Sequence, residues 1–238
     1  MAEKIVIASG KGGVGKTSIC VGLGRALHSM GKKVLLVDCD CLRSIDILTG
    51  VTQRLVYDWG DVLLGRCEKD EAVYTTDDVS VITCPENYDD VSPFYMKRLF
   101  SQYDEEYDYI LFDAPAGIDK GLQLSSSVAD RAIVVSTPDV VCVRSACIAG
   151  REIMKNGVDD VRLIINRVLK RDVTKGRLLN IDSVIDSVQI QLLGIVPEDP
   201  KIKLGSMGMS IYRKGQSSFK PLTNIARRIC GEQVALKI

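Results

Sequence analysis

A glycine-rich segment near the start of the chain has the residue types and the spacing that bind nucleotide phosphates. The segment Gly10–Ser18 reads GKGGVGKTS. Its Gly10, Gly15, Lys16 and Thr17 satisfy the pattern G-x-x-x-x-G-K-[ST] of a phosphate-binding loop. Glycines without a Cβ let backbone N–H groups close around an anion, and a helix that starts here adds the positive end of its dipole. The segment therefore predicts a loop that holds the phosphates of a nucleotide.

The side chains of this loop have separate expected roles. We expect the Lys16 ammonium to reach the β- and γ-phosphates and the Thr17 hydroxyl to bind Mg²⁺. A glycine-rich turn that matches by chance is the alternative, but an apolar strand at Ile5–Ala8 and a helix at Ile19–Met30 flank the loop as the motif requires. The residues expected to contact the nucleotide here are Gly10, Lys11, Gly12, Gly13, Val14, Gly15, Lys16, Thr17 and Ser18.

Lys11 is unusual in such a loop because it follows the first glycine directly. This variant resembles the deviant loop of the MinD/ParA ATPases. The resemblance implies that the lysine reaches the nucleotide of a partner subunit, so that two ATP molecules lie between two chains. A second cation near the transferring phosphoryl group offsets charge that develops in the transition state. A lysine that only solvates the loop is the alternative.

Acidic residues follow two of the apolar strands. Asp38 and Asp40 come after the strand Lys33–Val37, and Asp113 ends the strand Tyr109–Asp113. Side chains two apart on an extended chain point the same way, so we expect Asp38 and Asp40 to address one site and to orient water or hold a water of the Mg²⁺ shell. Asp113 occupies the position at which a carboxylate binds Mg²⁺ through water. The alternative for each is an Asp that only bonds the backbone of a turn.

Polar groups also follow the last two predicted strands. Asn166 and Arg167 come after one strand, and Pro197 and Glu198 come after the next. Ligands of parallel sheets bind at the carboxyl ends of the strands, where an amide side chain and free backbone groups can recognise an adenine edge. Ordinary loop chemistry is the alternative for these four residues.

The elements that position these groups alternate between strand and helix, which indicates an α/β, doubly wound, mostly parallel sheet with helices on both faces. The predicted strands are Ile5–Ala8, Lys33–Val37, Val79–Thr83, Tyr109–Asp113, Ala132–Ser136, Val161–Asn166 and Leu192–Val196. The predicted helices are Ile19–Met30, Pro93–Tyr103 with Ser92 as its cap, Val140–Asn156, Leu178–Ser187 and Phe219–Cys230, with short helical pieces at Ile45–Gly50 and Asp58–Gly65.

Length and composition agree with one globular domain over residues 1–238. Lys and Arg together number 31, as do Asp and Glu, so the balance of charge favours neither a nucleic acid nor an anionic membrane as partner. No apolar run approaches the about 20 residues of a membrane span, and the first strand starts too early for a signal peptide. The eight cysteines form no C-x-x-C pair, so a reducing cytoplasm is the expected location.

Motifs over nearly the whole chain resemble those of the MinD members of this family. Asp113–Asp119 reads DAPAGID where these proteins have D-[SA]-P-A-G-I-[ED], and Leu193–Asp199 reads LGIVPED for their L-G-V-[IV]-P-E-D. The resemblance implies the P-loop fold, a weak Mg²⁺-dependent hydrolysis of ATP to ADP, and a homodimer in the ATP state. It also implies that Asp40 helps to activate the hydrolytic water, and that Asn166 and the Pro197–Glu198 segment contact adenine.

The same resemblance implies a role in placing the division septum, with MinC- and MinE-like regulators as partners. The sequence differs from the family's pattern at three places that concern these partners, the loop after the second strand and the membrane. Val143–Cys147 reads VRSAC and lacks both acids of the family's V-R-D-x-D. Asp38–Arg43 is one residue shorter than the family's D-x-D-x-G-L-R and lacks its glycine. Gln233–Ile238 is too short for the C-terminal amphipathic helix that binds membrane, so we expect membrane contact only through a longer chain or a partner.

Two other functional classes share this fold. A partition ATPase of the ParA type has the same site but needs a basic surface for DNA. A metal or iron–sulfur cluster carrier places cysteine ligands at a dimer interface, and Cys39 and Cys41 are the one close pair in the sequence. A nucleotide kinase fits Lys11 and Asp113–Gly117 less well than the switch ATPases do.

Overall fold

One eight-stranded sheet organises the part of the chain that the computed structural model describes, residues 1–199 and 219–236. The strands are β1 Glu3–Ser9, β2 Val34–Asp38, β3 Tyr74–Thr75, β4 Ser80–Ile82, β5 Tyr109–Ala116, β6 Arg131–Ser136, β7 Asp160–Val168 and β8 Gln191–Pro197. Their spatial order is β3-β4-β2-β5-β1-β6-β7-β8. All pairs are parallel except β3 with β4 at one edge, which confirms the predicted doubly wound sheet.

Helices cover both faces of this sheet. Within the described residues they are α1 Lys16–His28, α2 Ser44–Thr49, α3 Trp59–Leu63, α4 Pro93–Phe100, α5 Lys120–Ser127, α6 Val140–Lys155, α7 Lys170–Thr174, α8 Ile181–Val188 and α9 Phe219–Ile229. Side chains of β1 alternate between the two faces. Ile5 and Ile7 pack in the core under α1 and α9, while Val6 and Ala8 pack in the core under α4, α5, α6 and α8. Strands buried on both faces explain the unbroken apolar runs in the sequence.

The register of the central strands brings the acidic strand ends together. Asp113 on β5 is paired with Ile7 on β1 and with Asp38 on β2. Because these strands are parallel, their carboxyl ends meet at one edge of the sheet. The chain leaves β1 there through the glycine-rich loop and enters α1. The β5–β1–β6 centre is also where the strand order changes direction, the usual place for a ligand in open α/β sheets.

Several elements differ from the sequence expectation. The strand β3 has two residues, too few to show a period, and α5 has the weakly apolar sequence KGLQLSSS, so neither was predicted. The helix expected from Leu178 begins at Ile181, because the Asn180 side chain accepts a hydrogen bond from the Ser183 N–H at 2.7 Å and caps it. Ser92 is the N-cap residue of α4, as predicted, although its side chain makes no capping hydrogen bond.

The C-terminal helix α9 belongs to the core. Leu222, Ile225 and Ile229 are buried against the sheet and α1, so the apolar stripe of this helix is a packing face. Among the helices of residues 1–199 and 219–236, none has the length and apolar character to cross a bilayer.

Candidate functional site

The glycine-rich loop sits at the carboxyl end of β1 and needs glycine at two positions for steric reasons. A Cβ on Gly10 would lie 2.0 Å from the backbone oxygen of Ser145 on α6. Gly15, the residue before α1, has φ of +92°, and a Cβ there would lie 2.4 Å from the Asn166 amide nitrogen. The two outer glycines of the motif therefore let the loop lie against α6 on one side and the end of β7 on the other.

A buried ion pair forms the floor of the loop. Lys16 Nζ lies 2.8 Å from Asp113 Oδ1, and both side chains are buried. Burial works against the charge on Lys16, but the carboxylate of Asp113 holds its pKa above the ordinary value. Burial raises the pKa of Asp113, and Lys16 partly offsets that rise. Each charge is therefore retained in the interior by the other.

The second oxygen of Asp113 has the character of a metal-directed group. Asp113 Oδ2 is buried and makes no hydrogen bond of ordinary geometry within the described residues. The hydroxyl of Thr17 lies near enough to the same carboxylate to lower its pKa. A buried carboxylate oxygen facing a hydroxyl is a donor set that suits Mg²⁺ with its retained waters. The residues present therefore fit the ion that the motif implies.

Asp38 organises the loop that follows β2, here called the switch loop, residues Asp38–Arg43. Its Oδ1 accepts the Asp40 N–H at 2.9 Å, and its Oδ2 accepts the Ile45 N–H at 3.2 Å. Burial, with the charge of Asp113 next, raises the pKa of Asp38 to about 7. The turn-forming role that was the alternative for this residue is thus present in the structure. Its predicted part in orienting water stays a prediction.

This raised pKa predicts that the ligand-free protein loses stability as the pH rises. Asp38 holds its proton up to about pH 7 in the folded chain, against about pH 3.8 for an ordinary Asp. The folded state therefore binds more protons between these values, and the free energy of unfolding falls across that window, by at most on the order of 4 kcal/mol. Urea unfolding at pH 5 and pH 8 measures the difference. The Asp38→Asn variant should show a smaller fall, whatever its absolute stability, and an equal fall in both proteins would contradict the assignment.

Asp40 projects from the switch loop toward the same floor. Its Oδ1 accepts the Leu42 N–H at 3.1 Å, and the residue is half-buried. Its charge acts on the pKa values of Lys16, Asp38 and Asp113, which places it close to all three. The structure therefore brings both acids of the switch loop to the phosphate-binding loop, as the sequence predicted.

Arg43 is a residue of this site that the sequence reasoning did not assign. It has φ of +48°, the left-handed conformation that glycine usually supplies. Its Nε donates to the Cys84 carbonyl at 2.6 Å, and its Nη2 bonds Asp58 Oδ2 at 2.8 Å. The switch loop has no glycine of its own, and these two bonds hold the unfavourable backbone in place.

The loop after β5 reaches the other side of the glycine-rich loop. The Gly117 N–H donates to the Ser9 carbonyl at 3.0 Å. Gly117 has φ of +108°, and Ala116 lies 3.9 Å from where a Cβ of Gly12 would be. This loop is therefore bonded to the end of β1, next to the phosphate-binding segment.

The four residues predicted at the adenine end also lie together. The buried Asn166 donates from Nδ2 to the Val14 carbonyl at 2.8 Å. Arg167 has φ of +58°, and its Nε is 3.8 Å from Glu198 Oε2. Pro197 is the last residue of β8 and pairs with Val168 of β7. The ends of β7 and β8 thus flank the start of α1, although Asn166 uses one amide donor to hold the loop itself.

Lys11 lies at the exposed rim of the site, opposite the start of α6. Asp139 caps α6 by accepting the N–H groups of Val141 at 3.1 Å and Cys142 at 3.2 Å. The bond from Cys142 contributes most to lowering the pKa of Asp139, and the charge of Lys11 contributes as well. The Lys11 carbonyl accepts the Ser9 hydroxyl at 3.1 Å. The lysine backbone is therefore anchored while its side chain faces outward.

The cysteines carry no sign of a metal centre in the described residues. All eight lie in this part of the chain as free thiols, with Cys39 buried and Cys41 exposed. Burial holds the pKa of Cys39 well above its usual value, which disfavours the thiolate that a metal needs. Within residues 1–199 and 219–236, no three His, Cys, Asp or Glu side chains are grouped to hold a metal.

Comparison with known proteins agrees with this geometry. Residues 5–211 match the family model of the CobQ/CobB/MinD/ParA nucleotide binding domain. The chain is 39% identical to the septum site-determining protein MinD of Bacillus subtilis, over 100% of this chain and 92% of that protein. It superposes on a chain of the MinC:MinD cell division protein complex from Aquifex aeolicus with a TM-score of 0.92, at 34% identity over 100% of this chain and 99% of that one.

A further match is a structure with a bound nucleotide. The septum site-determining protein MinD from Pyrococcus horikoshii, complexed with Mg-ADP, superposes with a TM-score of 0.84 at 27% identity over 96% of each chain. The sequence, the sheet order and the phosphate-binding loop thus agree with one group of proteins. The chain belongs to the CobQ/CobB/MinD/ParA nucleotide-binding family and, within it, is a MinD-like ATPase of septum-site determination.

Proposed function

We propose that the chain is an ATP-driven dimerisation switch in which two copies enclose two Mg·ATP molecules and separate after slow hydrolysis to ADP and phosphate. The observation that carries the proposal is the Lys16–Asp113 ion pair beneath a glycine loop, with Lys11 exposed at its rim. One cation is positioned for the chain's own nucleotide, and the other is placed to reach a second chain. We propose that residues 1–238 form a single domain.

Nucleotide binding changes the partner of Lys16. The ammonium is 2.8 Å from Asp113 and buried, within reach of the loop's phosphate position because α1 begins at the same residue. With a nucleotide bound, Lys16 would bond the β- and γ-phosphate oxygens, and Asp113 and Thr17 would hold Mg²⁺, Asp113 through a water of the ion and Thr17 through its hydroxyl. The bound ion neutralises charge on the phosphates. The loop glycines with Val14 and Ser18 contribute backbone N–H groups and the helix terminus.

The switch loop supplies the groups for hydrolysis. Asp40 is half-buried, and its charge helps to raise the pKa of Lys16. Among the described residues, its side chain makes one hydrogen bond, which it accepts from the Leu42 N–H. It can therefore accept a proton from, or orient, a water that attacks the γ-phosphate. Asp38 holds the loop in shape through two backbone N–H bonds. The adenine lies at the other end, beside Asn166, Arg167, Pro197 and Glu198.

The rim of the site supports a second copy of this chain as the partner. Three apolar side chains around the loop are strongly exposed: Leu42 at 82%, Val140 at 66% and Val141 at 55%. Burying them in a dimer contributes about 25 cal/mol for each Å² of apolar surface covered. The same contact would bring Lys11 to the partner's phosphates.

The experiment that tests this proposal is the Lys11→Ala variant. We expect it to bind Mg·ATP within about threefold of the unchanged protein, because Lys16 and the loop N–H groups remain. Dimerisation with a non-hydrolysable ATP analogue should be lost, as light scattering would show. Lys155→Ala, which removes an exposed lysine on the far end of α6, is the matched control and should dimerise normally. Dimerisation of Lys11→Ala with the analogue would contradict the sandwich arrangement.

We also propose a MinC-like regulator as a partner, since the Aquifex aeolicus MinD chain that this chain resembles comes from a MinC:MinD complex. In place of the family's two acids, α6 carries Ser145 and Cys147, both half-buried, beside the exposed Arg144 and Ile148. A regulator that contacts α6 here would thus meet a cationic and apolar surface. The free thiols support a reducing cytoplasm as the location.

A further inference from the structure

We propose that Tyr88 is a positioning residue for ATP hydrolysis, which holds the switch loop that carries Asp40 against the start of α5. The inference rests on the proposed role of Asp40 in activating water. Tyr88 lies in the segment between β4 and α4, far in sequence from every motif of the site.

The first contact fixes the peptide between the two acids of the switch loop. The Tyr88 hydroxyl donates to the Cys39 carbonyl at 3.0 Å. The N–H of Cys39 donates to the Asp113 carbonyl at 3.0 Å. Both backbone groups of Cys39 are therefore occupied, one by β5 and the other by Tyr88. Asp40 follows this peptide directly, so its orientation depends on these two bonds.

An aromatic pair strengthens the same support. The Trp59 indole N–H donates to the Asp38 carbonyl at 3.0 Å, and Trp59 is fully buried. Its ring lies 5.6 Å from that of Tyr88, centroid to centroid. Two successive carbonyls of the switch loop, those of Asp38 and Cys39, are thus held by donors from two packed aromatic side chains. Such rings have few rotatable bonds and locate their polar ends well.

The second contact joins Tyr88 to the loop after β5. A Cβ built on Gly121, in the first turn of α5, would lie 2.8 Å from the Tyr88 hydroxyl oxygen and 2.2 Å from Pro115 Cγ. Only glycine fits in this space, because the phenol and the proline ring both approach the backbone there. Tyr88 therefore lies between the switch loop and the segment that follows Asp113. A displacement of either segment is transmitted to the other through this side chain.

The chemistry of the phenol suits a permanent donor. Burial raises the pKa of Tyr88 above its ordinary value, so the hydroxyl keeps its proton at any pH at which the protein works. Its proton goes to a carbonyl, and nothing places it on a reacting atom. Tyr88 acts through the switch loop and not on the nucleotide.

The test compares Tyr88→Phe with Tyr95→Phe. Tyr95 lies on α4 and is 52% exposed. The Tyr95→Phe substitution therefore removes the same hydroxyl group, but from a surface site. We expect Tyr88→Phe to lower kcat about fivefold, the size of effect from losing one neutral hydrogen bond, and to leave the Kd for Mg·ATP within about twofold. Tyr95→Phe should change neither. An unchanged kcat in Tyr88→Phe, or a loss of kcat and affinity in equal measure, would overturn the positioning role.

Two further readouts separate positioning from general damage. In an Asp40→Ala background, Tyr88→Phe should lower the residual turnover no further, since both act on one step. Trp59 is the one tryptophan of the chain, so its emission reports on the switch loop without a label. The emission change on adding a non-hydrolysable ATP analogue with Mg²⁺ should differ between Tyr88→Phe and the unchanged protein. Equal emission changes, or additive losses in the double variant, would reject the inference. A failure of the unchanged protein to hydrolyse ATP would instead reject the proposed function.

Discussion

Lys16→Ala abolishes binding of Mg·ATP, with a loss of affinity of about a hundredfold or more. A charge-assisted hydrogen bond to phosphate is worth about 1.5–3 kcal/mol, and the ammonium is expected to bond two phosphates. The loop also depends on it, because Lys16 holds the buried carboxylate of Asp113 at 2.8 Å. Without the lysine, that carboxylate loses the buried cation with which it is paired, and its pKa rises further. Titration calorimetry with ATP and Mg²⁺ measures the loss.

Controls for Lys16→Ala must distinguish a loss of ATP binding from a loss of folding. Lys16→Met keeps most of the side-chain volume and removes only the charge, so a folded Lys16→Met protein without affinity assigns the effect to the ammonium. Lys155→Ala removes a lysine that pairs with Glu152 on the surface and should bind ATP normally. Circular dichroism shows whether each variant is folded. Retention of micromolar affinity by folded Lys16→Met would mean that the loop does not bind phosphate through this residue.

The fold and the phosphate-binding loop could be predicted from the sequence because their signals are local. Glycine spacing and unbroken apolar strands come from steric and burial requirements that act within a few residues. The carboxylates Asp38 and Asp113 were found for the same reason, since each ends such a strand. The register then explains why they meet, because β2 and β5 pair residue 38 with residue 113.

The supports of the site could not be predicted, because they join segments that are distant in sequence. Tyr88 bonds a carbonyl 49 residues away, and Asn166 bonds one 152 residues away. A side chain that bonds a backbone carbonyl leaves no residue pattern, since any residue can offer the carbonyl. Arg43 is similar, because its left-handed backbone and the place of the Cys84 carbonyl that its guanidinium bonds follow from the fold. The missing glycine of the switch loop was the only sequence signal near it.

The arrangement of charges explains how one site can bind a polyanionic nucleotide and remain folded without it. Three carboxylates, those of Asp38, Asp40 and Asp113, share the neighbourhood of one buried cation, Lys16. Burial raises the pKa of both Asp38 and Asp113, and the neighbouring carboxylates add to that rise, Asp113 and Asp40 for Asp38 and Asp40 for Asp113. A metal ion brought in with the phosphates supplies the positive charge that the acids lack. Binding of Mg²⁺ with the nucleotide should therefore be strongly coupled.

Asp40→Ala should retain Mg·ATP and form a dimer that does not turn over. General-base assistance contributes about 10²–10⁴ in rate, so we expect kcat to fall by about a hundredfold or more. The affinity for Mg·ATP should change little, because the proposed role of Asp40 is toward the attacking water. Lys16 and the glycine-rich loop, which are expected to bind the phosphates, are unchanged in this variant. The dimer should persist for as long as ATP remains, which size-exclusion chromatography with ATP would show. Steady release of phosphate gives the turnover.

The Asp40→Asn variant separates the chemical role of Asp40 from its turn-forming role. An asparagine oxygen can accept the Leu42 N–H that Asp40 Oδ1 accepts at 3.1 Å, so the switch loop keeps its shape. An amide cannot take a proton from water, so the chemistry is lost although the turn is kept. We therefore expect Asp40→Asn to be as inactive as Asp40→Ala, while Asp89→Ala, which removes an exposed acid of another loop, stays active. Normal turnover by Asp40→Asn would reduce Asp40 to a turn residue and assign the water to another group.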